Sequence, residues 1–235
     1  DGTSITVTEL HPNIAHQFDK KSHNFLADLE TGISNLFALI IRKGFTVHLN
    51  GAEIKPISLD ILFPTDWKQE TIQPYAYQAT VDTVDIELAV GFYRELASAS
   101  EIEKELQMPR KTDHAGWTII CNDRVVLHHD KTPVTGWGVG NVPKYHTQFI
   151  AISGMVRFSS TDLLKLPLNT TKRGLYTGSE VYGHALKYMT EGLKKFTDFT
   201  NRWKGRAKET NAYFQKMSPK AATEVLRAIP QDKWK

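Results

Sequence analysis

The stretch Ala79-Thr80-Val81-Asp82-Thr83-Val84-Asp85-Ile86-Glu87-Leu88-Ala89-Val90-Gly91-Phe92-Tyr93 sets apolar against polar side chains at nearly every step. A period of two is that of a strand with one buried and one wet face. Such a strand belongs to an antiparallel or mixed sheet, because parallel sheets are covered on both sides and read as unbroken apolar runs. Working outward, Gly116 to Leu127 returns to strand character on either side of Asn122-Asp123-Arg124, which reads as a turn, and Phe149 to Phe158 is a further strand. Pro64 to Pro74 and Thr132 to Lys144 are rich in loop formers, with Gly136-Trp137-Gly138-Val139-Gly140 read as a flexible turn. Ser98 to Arg110 is charged and reads as a short helix.

Nearer the start, Phe25, Leu26, Leu29, Ile33, Leu36, Phe37, Ile40 and Ile41 fall at helical spacing, so one long helix is expected over residues 22–43, with Ser22 as N-cap and Gly44 past its end. Phe45 to Leu49 and Glu53 to Ile57 flank Asn50-Gly51, a pair that supplies the two positive φ angles of a tight hairpin. Ser4 to Leu10 alternates and is rich in β-branched residues, as in a half-buried strand. Toward the other end, Val181, Ala185, Met189, Leu193, Phe196 and Trp203 predict a second long helix, and a helix-like tail runs from about Ala207 to Ile229 with a break near Ser218-Pro219. Strands and helices in this irregular order predict an α+β fold: a mixed sheet with helices packed on one face, followed by a C-terminal helical extension.

Composition narrows the function classes. The chain has 235 residues, of which 40% are hydrophobic and 23% charged, as in an ordinary globular protein. No window approaches the roughly 18 apolar residues of a membrane span, so no membrane role is expected. One cysteine, Cys121, cannot pair within the chain, and no signal-peptide pattern opens it, so a reducing, cytoplasmic setting is expected. The net charge of +3 hides an asymmetry: residues 194–235 hold 11 basic and 4 acidic side chains. That +7 segment fits either a solvated basic helix or a surface for nucleic acid or an acidic partner.

Complete catalytic motifs are missing. There is no phosphate loop, and the Gly136–Gly140 run lacks the spacing of a dinucleotide fingerprint. His128 and His129, adjacent in a strand, point to opposite faces, which leaves them a poor metal pair even with His114 or His146. Cys121, inside an apolar strand, reads as a small core residue.

The segment Gly2-Thr3-Ser4-Ile5-Thr6-Val7-Thr8-Glu9-Leu10, followed by Phe18 and a long helix, resembles the chain that leaves the ATP lid in the GHKL ATPases. That family includes gyrase, the ninety-kilodalton heat-shock chaperone, histidine kinases and MutL. Gly116 to Leu127, Gly136-Trp137-Gly138, Ile152-Ser153-Gly154-Met155-Val156-Arg157-Phe158, then Leu166-Pro167 and the loop carrying Lys172, resemble the transducer domain of its MORC-type members. The resemblance implies an exit strand of the ATPase domain at 1–15, a transducer domain of ribosomal-protein-like type at 16–205 and a basic helical extension at 206–235. It implies ATP and magnesium as ligands, held mainly by an ATPase domain upstream of this chain that carries the water-activating acid, the magnesium Asn, the adenine-binding Asp and the lid. It also implies an ATP-dependent homodimer as a possible assembly, and a chain inactive by itself.

Within that resemblance Lys172 is the candidate sensor of the γ-phosphate. A cation delivered from outside the nucleotide domain stabilises the charge that develops as phosphoryl transfer proceeds. A loop between a strand end and a helix start suits this, since backbone N–H groups there favour anions. Asn169, Thr170 and Thr171 are named with Lys172 as the nucleotide-contacting loop, Thr170 and Thr171 also as shaping it, and Arg173 is the fallback cation. The competing function is a nucleic-acid or protein binding module that uses the basic C-terminal helices, with Phe196, Phe199, Trp203, Tyr213 and Phe214 interleaved among Lys and Arg. The same aromatics equally fit a helix core stripe.

Overall fold

The computed structural model describes residues 2–18, 23–66, 72–107, 114–171 and 174–230. Its contacts divide the chain into two units, 1–57 and 58–235, a division that falls inside the expected 16–205 segment.

In the first unit the expected strand at Ser4 to Leu10 is absent. Ile5 and Val7 are 85% and 69% exposed, and an alternating segment becomes a strand only where a sheet neighbour takes up its apolar face and its ladder bonds. A single turn, α1 (Pro12–Ala15), precedes α2 (His23–Leu36) and α3 (Ala38–Arg42). The expected single helix is therefore broken, at Phe37 (φ −108°, ψ 14°). The cause lies outside the helix. The Ser34 carbonyl, which a continuous helix gives to residue 38, accepts from the Ile57 N–H at 3.2 Å. The Ser34 hydroxyl donates to the Lys55 carbonyl at 2.7 Å. Insertion of an outside partner into the helical ladder is a recognised source of kinks. Ser22, the expected cap, lies outside the described residues. The Asn-Gly turn is present, Asn50 at φ 51° and Gly51 at φ 84°, but joins strands of two residues each, β1 (His48–Leu49) and β2 (Ala52–Glu53).

The second unit holds β3 (Asp60–Pro64), β4 (Tyr75–Val81), β5 (Val84–Phe92), α4 (Ala99–Gln107), β6 (Gly116–Cys121), β7 (Arg124–Asp130), β8 (Ile152–Ser159), α5 (Glu180–Arg202), α6 (Ala207–Phe214), β9 (Met217–Ala221) and α7 (Ala222–Ala228). Five strands form one sheet in the order β4-β5-β8-β6-β7. The β6–β8 pair is parallel and the others antiparallel, so the sheet is mixed and the fold α+β, as the pattern predicts. The residues 79–93 that suggested one long strand belong to a hairpin: Asp82 (φ 46°) and Thr83 (φ 64°) turn the chain without a glycine. The Thr80 hydroxyl donates to Asp85 Oδ1 at 2.7 Å across the turn. α4 opens with a capping box, Glu101 accepting from the Ser98 N–H at 3.0 Å and from Arg94 at 2.8 Å. Those donors hold its carboxyl below the usual range.

One face of the sheet carries the main core. Ile86, Leu88, Val90 and Phe92 of β5, with Val156 and Phe158 of β8, meet Val181, Ala185, Met189, Leu193 and Phe196 of α5. The helix sits close enough to need Gly192, where a Cβ would lie 2.5 Å from Val90 Cγ1. On the opposite face Ala89, Met155, Thr118 and Ile120 are also buried. There a Cβ on Gly91 would lie 2.5 Å from Ile61 Cγ2, which brings β3 onto that side. The partner of β3 is β9, antiparallel with Leu62 opposite Pro219. The tail is thus two helices around a strand, a correction to the helix-like reading. Pro219 is tolerated because β9 has a single neighbour and one side needing no donor.

Gly116 sits beside a β-bulge, where the β6–β7 register shifts between Trp117 and Ile119 and His129 takes φ 47°. Gly116 itself takes φ 101°, and a Cβ there would stand 2.5 Å from the Asp130 carbonyl oxygen. Gly116→Ala combines backbone strain with a clash against rigid backbone, so it is expected to lower unfolding free energy by about 2 to 3 kcal/mol. Urea unfolding checks this. A loss below about 1 kcal/mol would mean that the bulge does not need the glycine.

Candidate functional site

The segment from β8 to α5 is pinned at both ends. At its start the Asn122 side chain bridges to Ser160 twice, accepting from the backbone N–H at 3.0 Å and donating to the carbonyl at 3.2 Å. Ser160 Oγ donates to the Thr83 carbonyl, and Lys165 bonds both Asp82 oxygens, at 2.9 and 2.8 Å. The turns of the two hairpins are thereby tied to the chain that leaves β8. Leu166 is buried, and Leu168 then pairs with Leu175 in an isolated antiparallel bridge.

Across that bridge a small loop closes. The Asn169 N–H donates to the Gly174 carbonyl at 2.9 Å. Asn169 Oδ1 accepts from Thr171 Oγ1 at 2.9 Å and from the Gly174 N–H at 3.3 Å. A Cβ on Gly174 would stand 2.9 Å from Asn169 Nδ2, so the closure also relies on the missing side chain. Asn169, Thr170 and Thr171 are exposed. Lys172 and Arg173 lie outside the described residues. Beyond the loop, the Tyr176 N–H returns to the Pro167 carbonyl at 3.0 Å just before α5 begins. The chemistry is that of an exposed polar loop with a fixed base. It can offer hydroxyl and amide donors to an anion that arrives from outside.

Other sequence candidates fall elsewhere. The rings of His114, His129 and His128 meet edge to face, at 5.2 and 5.7 Å between centroids. Among the described residues, no three His, Cys, Asp or Glu side chains converge as they would around a metal ion. Cys121 is buried in β6, and that burial pushes its thiol up to about 12. The Gly136–Gly140 run is a packed corner, not the flexible turn expected. Trp137 is 1% exposed against Tyr145 and Phe149, and Gly136 (φ 95°) lies under Thr190 of α5. Asp130 Oδ1 accepts from the Thr132 N–H and from the Thr132 and Thr135 hydroxyls, and the Tyr182 hydroxyl donates to the Val134 carbonyl. Burial, with Asp130 near by, raises the Tyr182 phenol well above its ordinary value. Nothing in the loop-like composition signalled these anchors. Only Trp137, too large to leave in water, carried a hint.

The C-terminal aromatics follow the core-stripe alternative. Phe196 and Phe214 are buried, and the rings of Phe196, Phe199 and Phe214 all lie 5.1 to 5.6 Å from Phe92. A Glu-x-x-x-Asn spacing does occur once, at Glu9 and Asn13, but both residues are exposed. Activating a water requires a water-excluded setting, which that position lacks.

No known protein family matches the sequence, and no curated protein does. Among solved structures the chain is weakly similar to the B subunit of DNA gyrase from Myxococcus xanthus, at 11% identity and a TM-score of 0.29. The overlap takes in 63% of this chain and 43% of that one. This chain therefore spans less than half the length of the gyrase subunit. A likeness of that size carries no functional argument. No helix among the described residues is long and apolar enough to cross a membrane.

Proposed function

We propose that this chain is the transducer region of a GHKL-type ATPase, cytoplasmic, which senses the γ-phosphate of ATP through Lys172 and passes that contact to α5. The observation that carries the reading is the Asn169-closed loop, set between the last strand of the sheet and its core helix. A base held by Asn169 and the Leu168–Leu175 bridge limits how far the loop can bend. A cation carried by that loop then meets a phosphate at small entropic cost. Thr170 and Thr171 shape the loop, and Arg173 is the second cation. ATP and magnesium are held by a nucleotide domain outside this chain, and ATP-dependent pairing of two copies fits the same reading. Because α5 is seated on the sheet through Gly192 and Phe196, a pull on the loop moves helix and sheet as a body.

The chain alone is then expected neither to hold ATP tightly nor to hydrolyse it. Calorimetry with ATP and magnesium measures this. A dissociation constant in the low micromolar range would contradict the assignment, because it would require an adenine and magnesium site within these residues.

A further inference from the structure

The basic surplus of the C-terminal segment has a location. Between Arg202 and Lys216 the sequence holds five Lys or Arg residues and one acidic residue, Glu209. Arg202, Lys204, Arg206 and Lys216 are exposed, and among the described residues none of them forms an ion pair with a carboxylate. Several other cations do pair with a carboxylate: Lys55 with Glu53, Arg94 with Glu101, Arg157 with Glu87, Lys165 with Asp82 and Lys194 with Asp198.

These four cations flank the turn from α5 into α6 and the far end of α6. α5 ends at Arg202, Gly205 (φ 77°) turns the chain, and the Arg206 N–H returns to the Trp203 carbonyl at 2.9 Å. The Trp203 ring lies 6.4 Å from that of Tyr213, and the Lys216 N–H donates to the Tyr213 carbonyl at 3.3 Å. The chain on both sides of the Trp203–Tyr213 contact is thus basic. A helix C-terminus favours cations, which accounts for Arg202 and Lys204. It does not account for Arg206, which stands at the start of α6 where the dipole opposes it, nor for Lys216.

We propose that the α5–α6 corner binds the phosphate backbone of nucleic acid. Phosphate contacts by Lys and Arg need no apolar anchor and carry no base preference. A membrane surface or a protein interface would need one. Among the described residues beyond Tyr176, no large apolar side chain is exposed. The inference stands apart from the nucleotide role, since the corner and the Asn169 loop share no residue.

The test is fluorescence anisotropy of the full chain with a labelled duplex of about 20 base pairs and scrambled sequence. Four phosphate contacts give a slope of log affinity against log salt of about −3.6, or roughly a 150-fold loss between 50 and 200 mM. The fourfold variant Arg202→Gln, Lys204→Gln, Arg206→Gln, Lys216→Gln is expected to flatten that slope toward zero. A control that removes the same charge elsewhere (Lys55→Gln, Lys104→Gln, Arg124→Gln, Lys144→Gln) is expected to keep it. Three results would overturn the proposal: no binding at about 20 mM salt, equal losses in the two variants, or phosphatidylserine vesicles bound as tightly as DNA and released by the same four substitutions.

Discussion

Lys172→Ala, in the ATPase that contains this chain, is expected to slow turnover by roughly thirty- to nine-hundred-fold while nucleotide affinity stays within about twofold. The size follows from the cost of removing one preorganised donor from a desolvated phosphoryl-transfer site, on the order of 2 to 4 kcal/mol. The split between turnover and affinity follows from timing. The contact strengthens as charge develops on the transferring group, so its loss falls on the transition state more than on bound ATP. Arg173→Ala is the internal control, expected to change turnover by less than about threefold, because one cation suffices for one developing charge. Single-turnover hydrolysis with equilibrium nucleotide binding on both variants separates the cases. Wild-type turnover in Lys172→Ala, or a larger loss in Arg173→Ala, would remove Lys172 from the role.

Phe92→Ala is expected to lower the unfolding free energy by about 3 to 5 kcal/mol, a large part of the 5 to 15 kcal/mol that holds a domain together. Phe92 is 1% exposed at the end of β5, and its ring meets those of Phe196 and Phe199 on α5 and Phe214 on α6. Truncation removes one side of three aromatic contacts at once. The surrounding rings, held on two helices, cannot collapse into the gap without shifting both. Urea unfolding followed by tryptophan emission gives the number. A loss under about 1 kcal/mol would show that the four rings do not form a common core, and would free the C-terminal aromatics for another use.

Much of the fold was legible wherever a local rule dominates. Asn50-Gly51 and Asn122-Asp123 each turn the chain where their side chains predict, and the α5 stripe from Val181 to Phe196 is buried as its spacing requires. The hairpin at Asp82-Thr83 replaces the single expected strand, and the sequence does carry a signal for it. The apolar positions slip from odd numbers, Ala79 and Val81, to even ones, Val84, Ile86 and Leu88, and a straight strand cannot change face in that way. Other differences have non-local causes. The helix break at Phe37 depends on Ile57 reaching the Ser34 carbonyl, and β9 depends on β3 lying more than 150 positions earlier. Ser4 to Leu10 has a strand's alternation but no neighbour in the described residues, and pattern alone supplies none.

The candidate loop was found by its place between strand and helix and by resemblance, not by any motif rigid enough to fix its geometry. The resemblance implies that Asn169 is one more nucleotide contact. Its Oδ1 is engaged with Thr171 and Gly174, a closure that depends on backbone positions five residues apart and could not be read from Asn-Thr-Thr. Trp137 and the Asp130–Thr135 network, which fasten the neighbouring corner beneath α5, lie in a stretch whose glycines suggested slack.

The central claim is that Lys172 meets the γ-phosphate, and the most direct measurement is the chemical reactivity of its amine. In the ATPase that contains this chain, the rate of Lys172 acylation by a water-soluble reagent can be followed by mass spectrometry with a non-hydrolysable ATP analogue, with ADP, and with no nucleotide. The account predicts strong protection by the ATP analogue alone, with ADP and empty protein reacting alike and Lys165, engaged with Asp82, unchanged throughout. Equal reactivity of Lys172 in the presence of the ATP analogue and of ADP would contradict it.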